Sequence, residues 1–86
     1  MKTYEEILTR ITTLIEDISL GVNKASEIYP NARILSDLGL DSLDYASVLL
    51  DCEKWLGVKV QEEGVDWSRL ATVAHLAAFM EQQQRR

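Results

Sequence analysis

The chain has 86 residues, of which 47% are hydrophobic and 27% charged, and its formal net charge is −5. That length fits one small domain, and the hydrophobic fraction excludes wholesale disorder because it suffices for a packed core. The negative net charge also argues against nucleic-acid binding, since phosphate backbones bind clusters of Lys and Arg. No apolar run is long enough to span a bilayer, and residues 1–6 lack the apolar segment of a secretory signal. We therefore expect a cytoplasmic protein without membrane contact.

The spacing of apolar residues predicts an all-α protein whose first helix runs from about Thr3 to Leu20. Thr3 and Glu6 fit a capping box, in which each side chain bonds the other residue's backbone N–H. Gly21 fits the stop signal of a helix. The apolar residues at helical spacing are Ile7, Ile11, Leu14, Ile15, Ile18 and Val22.

Residues 22–40 form an unusually long connection, broken by Pro30 and Asn31 and closed by Gly39. A compact domain rarely keeps such a loop without a functional or topological reason. A short helical turn at about residues 25–29 fits the pattern. We expect five apolar side chains to hold the loop against the core: Ile28, Tyr29, Ile34, Leu35 and Leu38.

The rest of the chain predicts three more helices. The second covers residues 42–56, and a short third helix covers residues 65–70. Thr72 has the position of the N-cap of the last helix. Together these elements predict a small four-helix bundle of residues 1–81, with a long loop between helices 1 and 2, followed by a polar, frayed tail at residues 82–86.

The second helix, which Gly57 ends, has two apolar surfaces when its residues are placed on a helical wheel. The broad surface is predicted to be core and comprises Tyr45, Val48, Leu49, Cys52 and Leu56, with Trp55 at its margin. The polar face, expected in solvent, comprises Asp44, Ser47, Asp51 and Lys54. A narrower docking strip comprises Leu43, Ala46 and Leu50. It fits a contact surface for other proteins; the alternative is that it packs beneath the long loop.

Ser42 stands at the start of this helix, in the run Asp37-Leu38-Gly39-Leu40-Asp41-Ser42-Leu43-Asp44. One interpretation is that Ser42 or Asp41 simply caps the helix. The other is that Ser42 is an attachment point for a phosphate-containing group, because a helix N-terminus offers free N–H donors and a positive dipole end. Gly39 permits an unusual backbone angle just before the serine.

The run at residues 37–44 resembles the phosphopantetheine-attachment motif of acyl carrier proteins. The resemblance covers nearly the whole chain, including the first helix, the long loop, residues 55–60 and the step at residues 70–73 into the last helix. It implies an acyl-carrier fold with no catalytic activity of its own. It also implies that a phosphopantetheinyl transferase moves a 4′-phosphopantetheine arm from coenzyme A onto Ser42.

The resemblance further implies a monomer whose arm carries acyl groups as thioesters between enzymes. Ser47 and Lys54 stand where carriers of primary fatty acid synthesis usually have acids. This difference favours a specialised pathway, such as polyketide synthesis, over housekeeping fatty acid synthesis. The expected partners besides the transferase are acyl-loading ligases or acyltransferases and a ketosynthase or other thioester-processing enzyme, which contact Asp41, Leu43, Asp44, Ala46 and Leu50.

Other chemistries fit this sequence less well. A Ser-His-Asp hydrolase needs more than Ser42 and His75, since no Gly-x-Ser-x-Gly elbow is present. The chain has one cysteine, Cys52, and one histidine, His75, which are too few for the four Cys and His ligands of a structural zinc site. The two tryptophans, Trp55 and Trp67, are interpreted as packing residues. Two alternatives stay open: an aminoacyl or peptidyl carrier protein, and a helical interaction module that keeps the same shape but is never modified.

Overall fold

The computed structural model describes residues 1–60 and 65–85. Within these ranges the chain forms three α-helices, α1 (Tyr4–Ile18), α2 (Ser42–Leu56) and α3 (Val73–Gln83), and two 3₁₀ helices, Ala25–Glu27 and Trp67–Leu70. The all-α class is confirmed. None of the helices in these ranges has the length and apolar character needed to cross a membrane.

The predicted short third helix is a single 3₁₀ turn, so the described ranges contain three α-helices and the prediction of four is not confirmed. Asp66 explains the shorter segment, because its carboxylate accepts a hydrogen bond from the Ser68 N–H at 3.1 Å. This local bond favours a tight turn over a regular α-helix. Val65 and Asp66, predicted to be helical, lie before the turn.

The predicted helix signals at both ends of the chain are confirmed. Thr3 and Glu6 form the complete capping box, and the Thr72 hydroxyl accepts a hydrogen bond from the His75 N–H at 3.1 Å. Gly57 ends α2 with φ +69, a left-handed conformation that glycine adopts without strain. Helix α1 ends at Ile18, two residues before the predicted end.

The core lies where α1 packs against α2 and α3. Because α1 places an apolar residue on the same face every three to four positions, three of its four isoleucines are fully buried: Ile7, Ile11 and Ile15. The buried core residues of the described chain are Ile7, Ile11, Ile15, Ile34, Leu40, Val48, Leu49, Cys52, Val60, Leu70, Val73, Leu76, Ala77 and Met80.

The long loop is held by backbone hydrogen bonds to the start of α3. Arg33 pairs with Thr72 in an isolated antiparallel bridge, and the Ile34 N–H donates to the Ala71 carbonyl at 2.9 Å. Ile34 is fully buried, whereas its neighbour Leu35, in the turn that follows the bridge, is exposed.

Only three of the five predicted loop anchors contact the core. Ile34 is fully buried, and Ile28 and Leu38 pack against the core in part. Tyr29 and Leu35 remain exposed, by 74% and 50%, so their prediction as anchors is wrong. The backbone bonds at the start of α3 hold the loop there, which makes apolar side chains unnecessary at these two positions.

The first part of the polar tail predicted at residues 82–86 is helical. Helix α3 continues through Gln83. The Gln84 side-chain amide then forms two hydrogen bonds with the Lys2 backbone, each of 2.8 Å. These bonds join the two ends of the chain and account for the longer helix. Residue 86 lies outside the described ranges.

Candidate functional site

Ser42 is the first residue of α2, and its neighbour Asp41 caps the helix. The Asp41 carboxylate accepts a hydrogen bond from the Asp44 N–H at 2.8 Å, and the Asp44 carboxylate accepts one from the Asp41 N–H at 3.4 Å. The two acids therefore form a capping box of their own. Of the two residues predicted as possible caps, Asp41 is the one that caps the helix. The cap therefore does not use Ser42, which is exposed and available for other chemistry.

The turn before α2 places Ser42 at the surface. Leu40 is buried and fixes the chain to the core, while Gly39 just before it has φ +71. That left-handed angle favours glycine, as the sequence predicted. Ser42 then lies in the first turn of α2, where the unpaired N–H groups and the positive end of the helix dipole favour an anionic group.

Ser42 also lines an open groove with a volume of about 390 Å³. Three parts of the chain form its walls: the loop before α2, the first turn of α2 and the second 3₁₀ helix. The groove combines hydroxyl groups with aromatic and aliphatic surface and one guanidinium. Its lining residues are Arg33, Leu35, Ser36, Ser42, Tyr45, Trp67, Ser68 and Ala71.

The aromatic wall of the groove is fixed by one hydrogen bond. The Tyr45 hydroxyl donates to the Leu70 carbonyl at 2.8 Å, and the Tyr45 and Trp67 rings meet edge to face with centroids 6.0 Å apart. Burial raises the pKa of Tyr45 to about 12. The phenol thus stays neutral at physiological pH, and the wall presents ring surface to the groove. Sequence reasoning gave Tyr45 and Trp67 packing roles only, because no local pattern signals this contact.

The docking strip is exposed along its length. Leu43 and Leu50 are 76% and 52% exposed, and Ala46 is exposed as well. The alternative in which the long loop covers this strip is wrong, since the loop is bonded to the start of α3 instead. Large exposed apolar side chains beside acids are typical of protein contact surfaces.

The opposite face of α2 is core, as predicted. Val48, Leu49 and Cys52 are buried, and Tyr45, Trp55 and Leu56 pack against the core in part. Burial, reinforced by the negative charge of Asp51, raises the pKa of the Cys52 thiol to about 12. Cys52 is therefore an unreactive thiol at neutral pH, because the thiolate is the nucleophile.

The C-terminal end of α2 is less acidic than its sequence indicates. Asp51, predicted to be solvated, is only partly exposed and accepts hydrogen bonds from the Arg10 guanidinium, the shorter at 2.8 Å. The centroid of the Trp55 ring lies 5.1 Å from the Lys2 Nζ and 5.3 Å from the Arg10 Cζ. Basic groups from α1 and the N-terminus thus offset the charge at this end, while Asp41 and Asp44 mark the acidic end.

Comparison with known proteins agrees with this geometry. Residues 9–80 match the family model described as the phosphopantetheine attachment site. An acyl carrier protein of Thermotoga maritima is 33% identical over 81 residues, which cover 94% of this chain and 95% of the relative. The chain belongs to the acyl carrier protein family. Its members are carriers and not enzymes, and phosphopantetheine is their cofactor.

Further relatives within the acyl carrier protein family carry a more specific name. The meromycolate extension acyl carrier protein of Mycobacterium tuberculosis is 34% identical over 79 residues, which cover 92% of this chain and 65% of the relative. Its counterpart in Mycolicibacterium smegmatis is 32% identical over 79 residues and is covered to 76%. Acyl carrier proteins interact in general with biosynthetic enzymes and with a phosphopantetheinyl transferase.

The residues around Ser42 fit a phosphopantetheine group. An exposed hydroxyl in the first turn of a helix is accessible to a modifying enzyme, and the helix end favours the phosphate that the modification would add. The adjoining groove offers both polar and apolar surface. His75, the one histidine of the chain, is exposed on α3 and does not line this groove.

Proposed function

We propose that this protein carries acyl groups as thioesters on a 4′-phosphopantetheine arm attached to Ser42, and presents them to biosynthetic enzymes. The observation that carries the proposal is that different residues form the cap and offer the exposed hydroxyl at the start of α2. Asp41 and Asp44 cap the helix, so the cap does not need Ser42, and Ser42 is exposed.

The role of this chain in the attachment is to present a hydroxyl. The groove around Ser42 has no histidine and no carboxylate among its lining residues, so the base and the metal that activate the hydroxyl belong to the transferase. The first-turn N–H groups of α2 and the positive end of its dipole stabilise the phosphate once it is formed. When bound, the arm supplies the terminal thiol that holds the cargo.

Partners are proposed to bind the start of α2. Asp41 and Asp44 attract basic residues, and Leu43, Ala46 and Leu50 offer apolar contacts. Such complexes should be weak and short-lived, because a carrier must leave each enzyme, and charge then sets the association rate more than the affinity. The proposed partners are a phosphopantetheinyl transferase, an acyl-loading ligase or acyltransferase, and a ketosynthase or other thioester-processing enzyme.

The cargo is proposed to be an acyl group of fatty acid synthesis or of a specialised pathway, with an aminoacyl group as the alternative. The names of the mycobacterial relatives support an acyl chain that is extended by enzymes. Mass spectrometry of the thioester on protein isolated from its native host separates these cases. An aminoacyl thioester would contradict the assignment to acyl transport.

Modification by coenzyme A tests the attachment site directly. The protein is incubated with coenzyme A, magnesium and a promiscuous phosphopantetheinyl transferase, and its intact mass is measured. We expect one phosphopantetheinyl increment on the unchanged protein and none on Ser42→Ala. Ser47→Ala is the matched control, because Ser47 is a second exposed serine on α2, and it should be modified normally. No increment on the unchanged protein, or a persistent increment on Ser42→Ala, contradicts the proposal.

A further inference from the structure

The groove beside Ser42 contains a cation and an aromatic wall that presentation of a hydroxyl does not require. Arg33 is the charged residue among those that line it, and Tyr45 and Trp67 provide the rings. These side chains come from separate parts of the chain and meet only in the folded protein. Their chemistry indicates a ligand that combines an anionic group with apolar surface.

The groove is built on fixed backbone. Arg33 is held by its bridge to Thr72, and its N–H donates to the Asp37 carboxylate at 2.9 Å. On the other side, the bond between the Tyr45 hydroxyl and the Leu70 carbonyl joins α2 to the second 3₁₀ helix. The walls are therefore positioned before any ligand arrives, which lowers the entropic cost of binding.

The charge of Arg33 is available to a ligand. None of the ion pairs in the described ranges uses Arg33: they are Arg10–Asp51, Arg69–Asp66 and Arg85–Glu81. A phosphodiester on Ser42 would lie beside two carboxylates, those of Asp41 and Asp44. A guanidinium in the same groove offsets that repulsion, and Arg pairs well with phosphate oxygens.

We infer that the groove seats the phosphopantetheine arm between deliveries, with Arg33 pairing the phosphate and the Tyr45–Trp67 wall contacting the apolar part that follows it. The inference rests on the proposed attachment at Ser42, which is itself part of the groove lining. The groove volume of about 390 Å³ lies in the range of small-molecule sites. Because the groove is open and Arg33 is exposed, the seat is weak, and a partner enzyme can draw the arm out.

Melting temperatures of the modified and unmodified forms test the role of Arg33. A group that binds only the folded chain raises its stability, so modification should raise the melting temperature by about 3 °C at low salt. In Arg33→Gln the increase should fall to less than half. Lys59→Gln removes one positive charge from an exposed residue outside the groove, and it should keep the full increase.

The indole of Trp67 gives a second measurement that needs no change at Arg33. With Trp55→Phe, Trp67 is the remaining tryptophan, and its indole N–H resonance should shift when Ser42 is modified. The ³¹P resonance of the arm should shift between the unchanged protein and Arg33→Gln, but not in Lys59→Gln.

The outcomes separate this inference from the proposed function. Suppose that Ser42 accepts the arm but the Trp67 resonance does not shift. If modification also raises the melting temperature equally in the unchanged protein, Arg33→Gln and Lys59→Gln, the arm is free in solvent. The inference is then wrong, and the carrier function stands. If Ser42 never accepts the arm, the proposed function fails and the groove has no arm to seat.

Discussion

Helix α2 has two apolar surfaces made of similar residues, and they differ in what they contact. Val48, Leu49 and Cys52 lie in the core. Leu43 and Leu50, on the same helix, remain largely in solvent. Hydrophobicity alone therefore does not separate the residues that stabilise the fold from those available to a partner. Position relative to the long loop separates the two groups, because the loop is bonded to α3 and leaves the docking strip uncovered.

Leu49→Ala should have the largest effect on stability. Leu49 is buried among the core residues, and truncation of such a leucine removes contacts and leaves a cavity. We expect the free energy of unfolding to fall by about 3 kcal/mol, measured by urea denaturation. A loss below about 1 kcal/mol would mean that this face of α2 is not core.

Alkaline pH should destabilise the fold through the buried face. Burial raises the pKa of Cys52 from an ordinary value of 9.0, and that of Tyr45 from 10.0, in both cases to about 12. The unfolded chain loses these protons first, so the stability they contribute is present below pH 9 and is lost as the pH rises toward 12.

By pH 11 the loss of unfolding free energy should be on the order of 3 kcal/mol, most of it from Cys52, because the partial exposure of Tyr45 reduces its share. Urea denaturation at a series of pH values measures this loss. In the double variant Cys52→Ala/Tyr45→Phe, the unfolding free energy should decline less steeply above pH 9. An equally steep decline in the double variant would assign alkaline unfolding to other groups.

Arg10→Gln sharpens the contrast between the two ends of α2. It removes the ion pair with Asp51, whose side chains are 39% and 37% exposed, so solvent screening keeps the loss to about 0.5 kcal/mol. The loss should shrink in high salt. Arg69→Gln is the control, because its pair with Asp66 is more exposed, and it should change the unfolding free energy less. Equal effects in the two variants would mean that the Arg10–Asp51 pair contributes no more to stability than the Arg69–Asp66 pair.

Leu50→Ala should have the smallest effect on stability and a clear effect on partner binding. Leu50 is half exposed, so the unfolding free energy should change by less than about 0.5 kcal/mol, with an unchanged helical circular-dichroism signal. Modification and acyl loading should slow several-fold. Leu20→Ala, an exposed leucine outside the docking strip, should slow neither. Loss of the fold in Leu50→Ala would show that Leu50 is core.

Local signals in the sequence predicted much of this fold. The caps at Thr3 and Thr72 and the stop at Gly57 depend on neighbouring residues, and all three are confirmed. The buried face of α2 followed from helical periodicity. Periodicity works there because a regular helix presents the same face every three to four residues.

Contacts between distant residues could not be predicted in this way. The bridge of Arg33 with Thr72 and the ion pair of Arg10 with Asp51 join residues about forty positions apart, and no local pattern encodes them. The anchors Tyr29 and Leu35 were misassigned because this bridge, and not their side chains, helps to hold the loop. The groove at Ser42 was missed for the same reason, because its walls come from three separate segments.

The burial of Cys52 has a consequence for the fidelity of transport. It is the one cysteine that the chain encodes, and it is fully enclosed and protonated at neutral pH. An activated acyl group brought to this protein therefore meets no accessible cysteine thiol on the polypeptide. Burial therefore prevents acylation of the Cys52 thiol itself.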